Sequence, residues 1–200
     1  MAFTARSEKT RSAILTSARQ LLALKGYQGT TIRAVAAAAG IDPSMVMRYY
    51  RSKEGLFAAA VDVDLRLPSA SRWPRDRVGE MVARHLISRW EGELSDDLIT
   101  MLLRSAGTNQ AAVEHLREVF QRQLLSLVRE IAGDGPDAGR RAGMVATQVL
   151  GVALCRYVIQ LPPVVAMDGE TLARVLGPVL QHYLLGDLDG GGAVVAFGDG

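Results

Sequence analysis

Residues 43–50, PSMVMRYY, gather a serine, two methionines, an arginine and two tyrosines into about two helical turns. Helical spacing sends Val46 and Tyr50, four apart, to one face, and leaves Ser44, Met45, Met47, Arg48 and Tyr49 on or near the other. An outward methionine and tyrosine forgo burial unless a partner covers them. The chemistry these side chains can do is recognition. An arginine forks to guanine edges, a methionine packs on a thymine methyl and a tyrosine hydroxyl reaches phosphate, as suits a helix lying in a major groove. Just beyond, Ser52 caps another helix whose free amides, with Lys53 beside them, form a phosphate site.

The neighbouring residues are those needed to hold such a helix. Thr30 or Thr31 caps a preceding helix, in which Ile32, Val35, Ala36 and Ala39 recur at helical spacing and the alanine run 36–39 allows close packing. Gly40 ends that helix, Ile41 plugs the corner, and Asp42 caps the next with Pro43 in its first turn. Residues 30–57 therefore spell helix, turn, helix, and the start of a further helix. Upstream, Ile14, Leu15, Ala18, Leu21, Leu22 and Leu24 form the stripe of a buttressing helix that Gly26 ends. Residues 1–6 are expected to form a mobile arm. Downstream, the helix begun at Ser52 is expected to run through Ala58 to about Leu67, where Pro68 breaks it, and so to link the head to the rest.

The remainder reads as helices without a strand signal. Apolar faces run over 75–90, 95–106, 109–131, 137–161 and 169–185, separated by Gly, Pro and Asp signals such as Gly133-Asp134-Gly135-Pro136, Pro162-Pro163 and Asp168. Trp73 is expected to anchor the loop before them. The last two helices combine small residues (Gly143, Ala146, Gly151, Ala153, Cys155) with more apolar surface than one body hides, which predicts a four-helix interface between two copies. The competing reading buries both helices in the core of one chain. The fold class is thus all-α, with about nine helices: residues 7–55 a helix-turn-helix DNA-binding domain, 56–186 a helical dimerisation domain, regulatory as well if the resemblance described below is followed, and 187–200 a Gly-rich, acidic, disordered tail.

Charge supports the division. Residues 1–60 hold nine Lys and Arg against three acids, an excess of +6, so that 61–200 carry −4 against the whole-chain +2. A basic front suits a polyanion. Enzyme chemistry has no comparable signal: His85, His115 and His182 lack metal-ligand spacing, Cys155 has no nucleophile signature and no disulfide partner, and no Gly-rich loop joins a strand to a helix. No metal, cofactor or catalytic residue is expected. The chain shows neither a signal-peptide pattern nor a run of about 18 apolar residues, so a cytoplasmic protein without a membrane partner is expected.

The run from Thr31 to Phe57 resembles the DNA-binding signature of the TetR family of transcriptional regulators: a threonine opening the second helix, AxAAG before the turn, an aromatic pair, then Ser52-Lys53-Glu54 and an apolar residue. By that resemblance, Arg33, Pro43, Ser44, Met47 and Arg48 approach bases, while Thr31, Met45, Tyr49 and Lys53 hold the backbone. Two positions depart from the family's habit. Met47 stands where tyrosine is common and lacks its hydroxyl; Arg51 stands where proline or glycine is common and adds a charge. The resemblance implies a homodimer pairing through helices 137–161 and 169–185, a palindromic double-stranded DNA partner, and a repressor released by a small effector. Candidate pocket residues are Met81, His85, Trp90, Met101, Phe120 and Tyr157, each with core packing as its competing role; their apolar character favours a hydrophobic ligand. The alternative function is a helical ligand- or protein-binding module that does not read DNA sequence.

Overall fold

The computed structural model describes residues 5–61, 64–92, 95–107 and 109–188, so most of the expected tail lies outside the described residues. Four helices form the head: α1 (Ala5–Gly29, broken at Gly26), α2 (Ile32–Ala39), α3 (Pro43–Tyr50) and α4 (Lys53–Ala60). The body comprises α5 (Val78–Glu91), α6 (Ser95–Ala106), α7 (Gln110–Val119), α8 (Leu125–Ala132), α9 (Ala138–Ala153), the single turn α10 (Pro162–Val165) and α11 (Gly169–Leu185). No strand occurs among the described residues.

Local chemistry sets most boundaries. Thr31 Oγ1 accepts the Ala34 amide at 3.1 Å, Asp42 Oδ1 that of Ser44 at 2.8 Å, and Ser52 Oγ that of Gly55 at 3.0 Å. Gly40 takes φ 67°, the left-handed cap that closes α2. Asp168 Oδ1 caps α11 through Thr171 at 2.6 Å, and Asn109 Oδ1 caps α7 through Ala111 at 3.0 Å.

In the head, Ile14, Ala18 and Leu22 of α1 meet Val35 and Ala36 of α2, Val46 and Tyr50 of α3, and Leu56, Phe57 and Ala60 of α4, all buried. In the body α5 packs along α11, with Val82, Ala83 and Leu86 buried on one and Leu172, Leu176 and Leu180 on the other. Packing of α1 on α6 and of α4 on α7 joins the two parts.

Three elements differ from expectation. The helix predicted to reach Leu67 stops at Ala60, because Arg19 Nε of α1 takes the Ala60 carbonyl at 2.8 Å and Val61 leaves helical geometry. The chain from Asp64 to Ser69 is then non-helical and is pinned to the body: the Leu65 amide donates to Gln123 Oε1 at 2.7 Å, its carbonyl faces His85 Nε2 at 2.9 Å, and the Asp64 carbonyl accepts from Arg89 Nη2 at 2.8 Å. The helices expected over 109–131 and 137–161 each contain a π turn, at Phe120–Leu124 and Leu154–Val158. Trp73 is half-buried, its ring 6.1 Å from that of His85.

Candidate nucleic-acid interface

On α3, Val46 is fully buried and Tyr50 nearly so, its hydroxyl 3.5 Å from the Arg11 carbonyl oxygen, so this face is fastened to α1. The opposite face is bare: Met47 is 44% exposed, and Pro43, Ser44 and Arg48 are exposed with it. Met45 and Tyr49 are half-buried at its flanks, while Thr31 and Arg33 are exposed at the start of α2. The nine sequence-predicted residues thus lie on three consecutive helices of one small head.

The flanks have partners of their own. Tyr49 Oη shares a hydrogen bond of 3.1 Å with Ser7 Oγ, and the Arg48 guanidinium stands 5.7 Å from the Tyr49 ring centre. The Ser7 hydroxyl, and less strongly Arg48, hold the Tyr49 hydroxyl below its ordinary pKa. Hydrogen bonding to Ser44 keeps the Asp42 cap below the usual carboxylate range. Thr31 uses a lone pair for capping, which leaves its O–H able to donate to phosphate.

Arg51 joins α3 to α4 with φ 65° and ψ −37°, and the Ser52 amide donates back to the Tyr50 carbonyl at 2.7 Å. This tight three-residue turn is strained for any residue with a β-carbon. The same Tyr50 carbonyl would collide with a β-carbon at Gly55, so glycine at that position lets α4 start close against the end of α3.

Sequence reasoning overlooked Tyr27. Its ring lies beneath Lys53, whose Nζ is 4.4 Å from the ring centre and 3.4 Å from the Gln28 carbonyl oxygen, and its hydroxyl donates to Glu54 Oε1 at 2.8 Å. An aromatic residue just past the glycine that breaks α1 was the available signal, but nothing local ties it to a lysine 26 positions on.

The six candidate pocket residues divide. Trp90 and Met101 are buried, and Tyr157 in the second π turn meets Trp90 edge to face with ring centres 6.1 Å apart. Phe120 is half-buried in the first π turn; Met81 and His85 are half-buried on α5, His85 being engaged with Leu65. Surface clefts of about 330 Å³ between α1 and α6 and about 270 Å³ beside Trp73 are present, and Met101 alone of the six lines either. The Trp90 indole N–H is buried without a hydrogen-bond partner among the described residues. No group of three His, Cys, Asp or Glu among them could hold a metal, and none of their helices is long and apolar enough to cross a membrane.

In the second half of the body, Leu154 of the second π turn, Ile159 and Leu161 after it, Val165 of α10, and Val175 and Val179 of α11 are exposed, Val175 by 59%. Gly143 and Gly151 on α9 have open space where a side chain would stand.

Comparisons agree with this architecture. Residues 14–60 match the family model of bacterial regulatory proteins of the tetR family, and residues 76–184 that of the tetracyclin repressor-like C-terminal domain. A TetR-family regulator from Streptomyces coelicolor is 30% identical over 92% of this chain and 99% of its own, with a TM-score of 0.65. NalD, the secondary repressor of the MexAB-OprM multidrug efflux pump in Pseudomonas aeruginosa, is 23% identical over 92% and 99%, with a TM-score of 0.70. SmeT, solved as a complex with triclosan, is 22% identical over 86% and 90%, with a TM-score of 0.65. None of the curated proteins compared matches the chain in sequence.

Proposed function

The chain belongs to the TetR family of bacterial regulatory proteins, and we propose that it acts as a homodimeric repressor that leaves a palindromic operator when a small hydrophobic ligand enters its C-terminal body. The observation that carries this reading is the uncovered α3 face, where Met47 and Arg48 project from a helix fastened on its other side, within a head of net charge +6. In a major groove, Arg33, Ser44, Met47 and Arg48, with Pro43, meet base edges, and Thr31, Met45, Tyr49 and Lys53 set the register on the backbone.

The exposed apolar residues of the second π turn, the link after it, α10 and α11 support pairing of two copies, with the open glycines of α9 admitting close helix approach. Two heads about 34 Å apart occupy successive major grooves on one side of the duplex. A ligand that changes this spacing loosens both at once.

Trp90, Met101, Phe120 and Tyr157, with Met81 and His85 on α5, are the proposed ligand surroundings, and the Trp90 N–H offers a donor to an acceptor on the ligand. Triclosan in SmeT supports a small, largely apolar aromatic molecule, and NalD supports the repressor sense. The signal would pass through Leu65, held on one side by His85 of α5 and on the other by Gln123 of the π turn, because any shift of these elements moves the segment that follows α4.

Fluorescence anisotropy with palindromic fragments from beside the protein's own gene tests the proposal. Binding that weakens steeply with salt and with an added effector supports it; failure to prefer any such fragment over mixed-sequence duplex refutes it.

A further inference from the structure

Lys53 and Glu54 open α4 with opposite charges, side by side at the place where a phosphate is expected. An exposed carboxylate there opposes the phosphate, and a free lysine must give up rotamer freedom to reach it. One residue of another helix touches both side chains, beside the bond from Lys53 Nζ to the Gln28 carbonyl oxygen. Tyr27 presents its ring face to Lys53 Nζ at 4.4 Å and its hydroxyl to Glu54 Oε1 at 2.8 Å. The ring itself is fixed, edge-on to buried Phe57 at 5.1 Å with planes at 83°.

Resting on the DNA-binding reading above, we propose that Tyr27 is a positioning residue for the phosphate contact, its ring holding the Lys53 ammonium in place and its hydroxyl holding the Glu54 carboxylate aside. Cation–π attraction restrains the ammonium without pairing it to a carboxylate; one N–H donates to the Gln28 carbonyl oxygen at 3.4 Å, and the remaining donors and the charge are left for DNA. The hydroxyl is suited to its part: burial, then the hydrogen bond and charge of Glu54, push it up to about 12, so it stays protonated and donating through the physiological range. Glu54 in turn lies below the usual carboxylate range, its own backbone amide and the Tyr27 hydroxyl being the leading causes, and so remains a charge that must be kept aside.

The test is a pair of double-mutant cycles, read as affinity for a mixed-sequence DNA duplex over a range of salt, since a phosphate contact is independent of base sequence. Tyr27→Leu is expected to weaken binding about 2- to 5-fold in the otherwise unmutated protein, the scale of an exposed cation–π contact, and, when Lys53→Ala is already present, to weaken it only by the smaller amount that losing the hydroxyl costs through Glu54. Tyr27→Phe, which keeps the ring, is expected to weaken binding by less, with full recovery on adding Glu54→Gln. Thermal melting by circular dichroism checks that each variant is folded. If Tyr27→Leu does not fold, the Tyr27→Phe and Glu54→Gln cycle decides alone. Equal losses with and without Lys53, or no recovery with Glu54→Gln, would overturn the positioning role while leaving the regulator reading intact; an unmutated protein that binds no duplex would overturn both.

Discussion

His85 Nε2 lies 2.9 Å from the carbonyl oxygen of Leu65, a bond that ties α5 to the segment leaving the DNA-binding head. With the carbonyl as acceptor, the imidazole carries its hydrogen on Nε2. Gln123 holds the amide of the same residue at 2.7 Å, so one residue's backbone is gripped from two helices. Gln123→Ala should remove the amide's partner and lower stability by about 1–2 kcal/mol in chemical denaturation. Hydrogen exchange at the Leu65 amide should quicken with it. Unchanged exchange would mean that the grip does not order this segment.

The joint between α3 and α4 gives two changes of opposite sign. Gly55→Ala sets a β-carbon against the Tyr50 carbonyl and should destabilise by about 1–3 kcal/mol. Arg51→Gly relieves a side-chain-bearing residue at φ 65° and should stabilise by about 1 kcal/mol. Paired thermal melts check both signs.

Acid should loosen the caps. Asp42 and Asp168 have folded-state pKa values below the ordinary 3.8, through hydrogen bonds to Ser44 and to the Thr171 amide respectively. A depressed carboxylate pKa contributes stability that is present above the unfolded value and disappears as pH falls through the folded one. Stability should therefore decline from about pH 4 downward, and Asp168→Asn should flatten that decline. Denaturant midpoints measured from neutral pH down into the acid range read the difference.

Dimerisation should depend on the apolar patch. Val175→Asp places a charge in its midst and should convert a dimer to a monomer in sedimentation without loss of helical circular dichroism. The monomer should still bind a half-site and lose its preference for the palindrome. A Val175→Asp protein that remained dimeric would move the interface elsewhere.

How much of this is visible in the chain depends on the range of the interaction responsible. The caps at Thr31, Asp42, Ser52 and Asp168 and the left-handed Gly40 follow from neighbours within four residues, and all form as their types dictate. Val46 and Tyr50 turn inward because a two-turn helix has one face to bury. The end of α4 has no local signal, because Arg19, which takes its last carbonyl, lies 41 residues earlier. Tyr27 beneath Lys53 and the Leu65 grip are likewise long-range contacts without a local pattern. The π turns at Phe120 and Leu154 leave the apolar spacing close to that of an ordinary helix.

The division of labour on α3 and α4 is tested most directly by selecting bound duplexes from a random pool with the unmutated protein, Arg48→Ala and Lys53→Ala in parallel. The unmutated protein should enrich an inverted repeat with half-sites centred about one helical turn, roughly 10 base pairs, or a multiple of it apart. Arg48→Ala should relax the choice at one position in each half-site, by about 1–3 kcal/mol of discrimination. Lys53→Ala should keep the same consensus, bind it more weakly, and lower the salt slope by about 1 for each phosphate that the lysine no longer neutralises. A pool that stays random with the unmutated protein, or an Arg48→Ala consensus identical in every position to the original, would contradict the assignment of α3 as the reading helix.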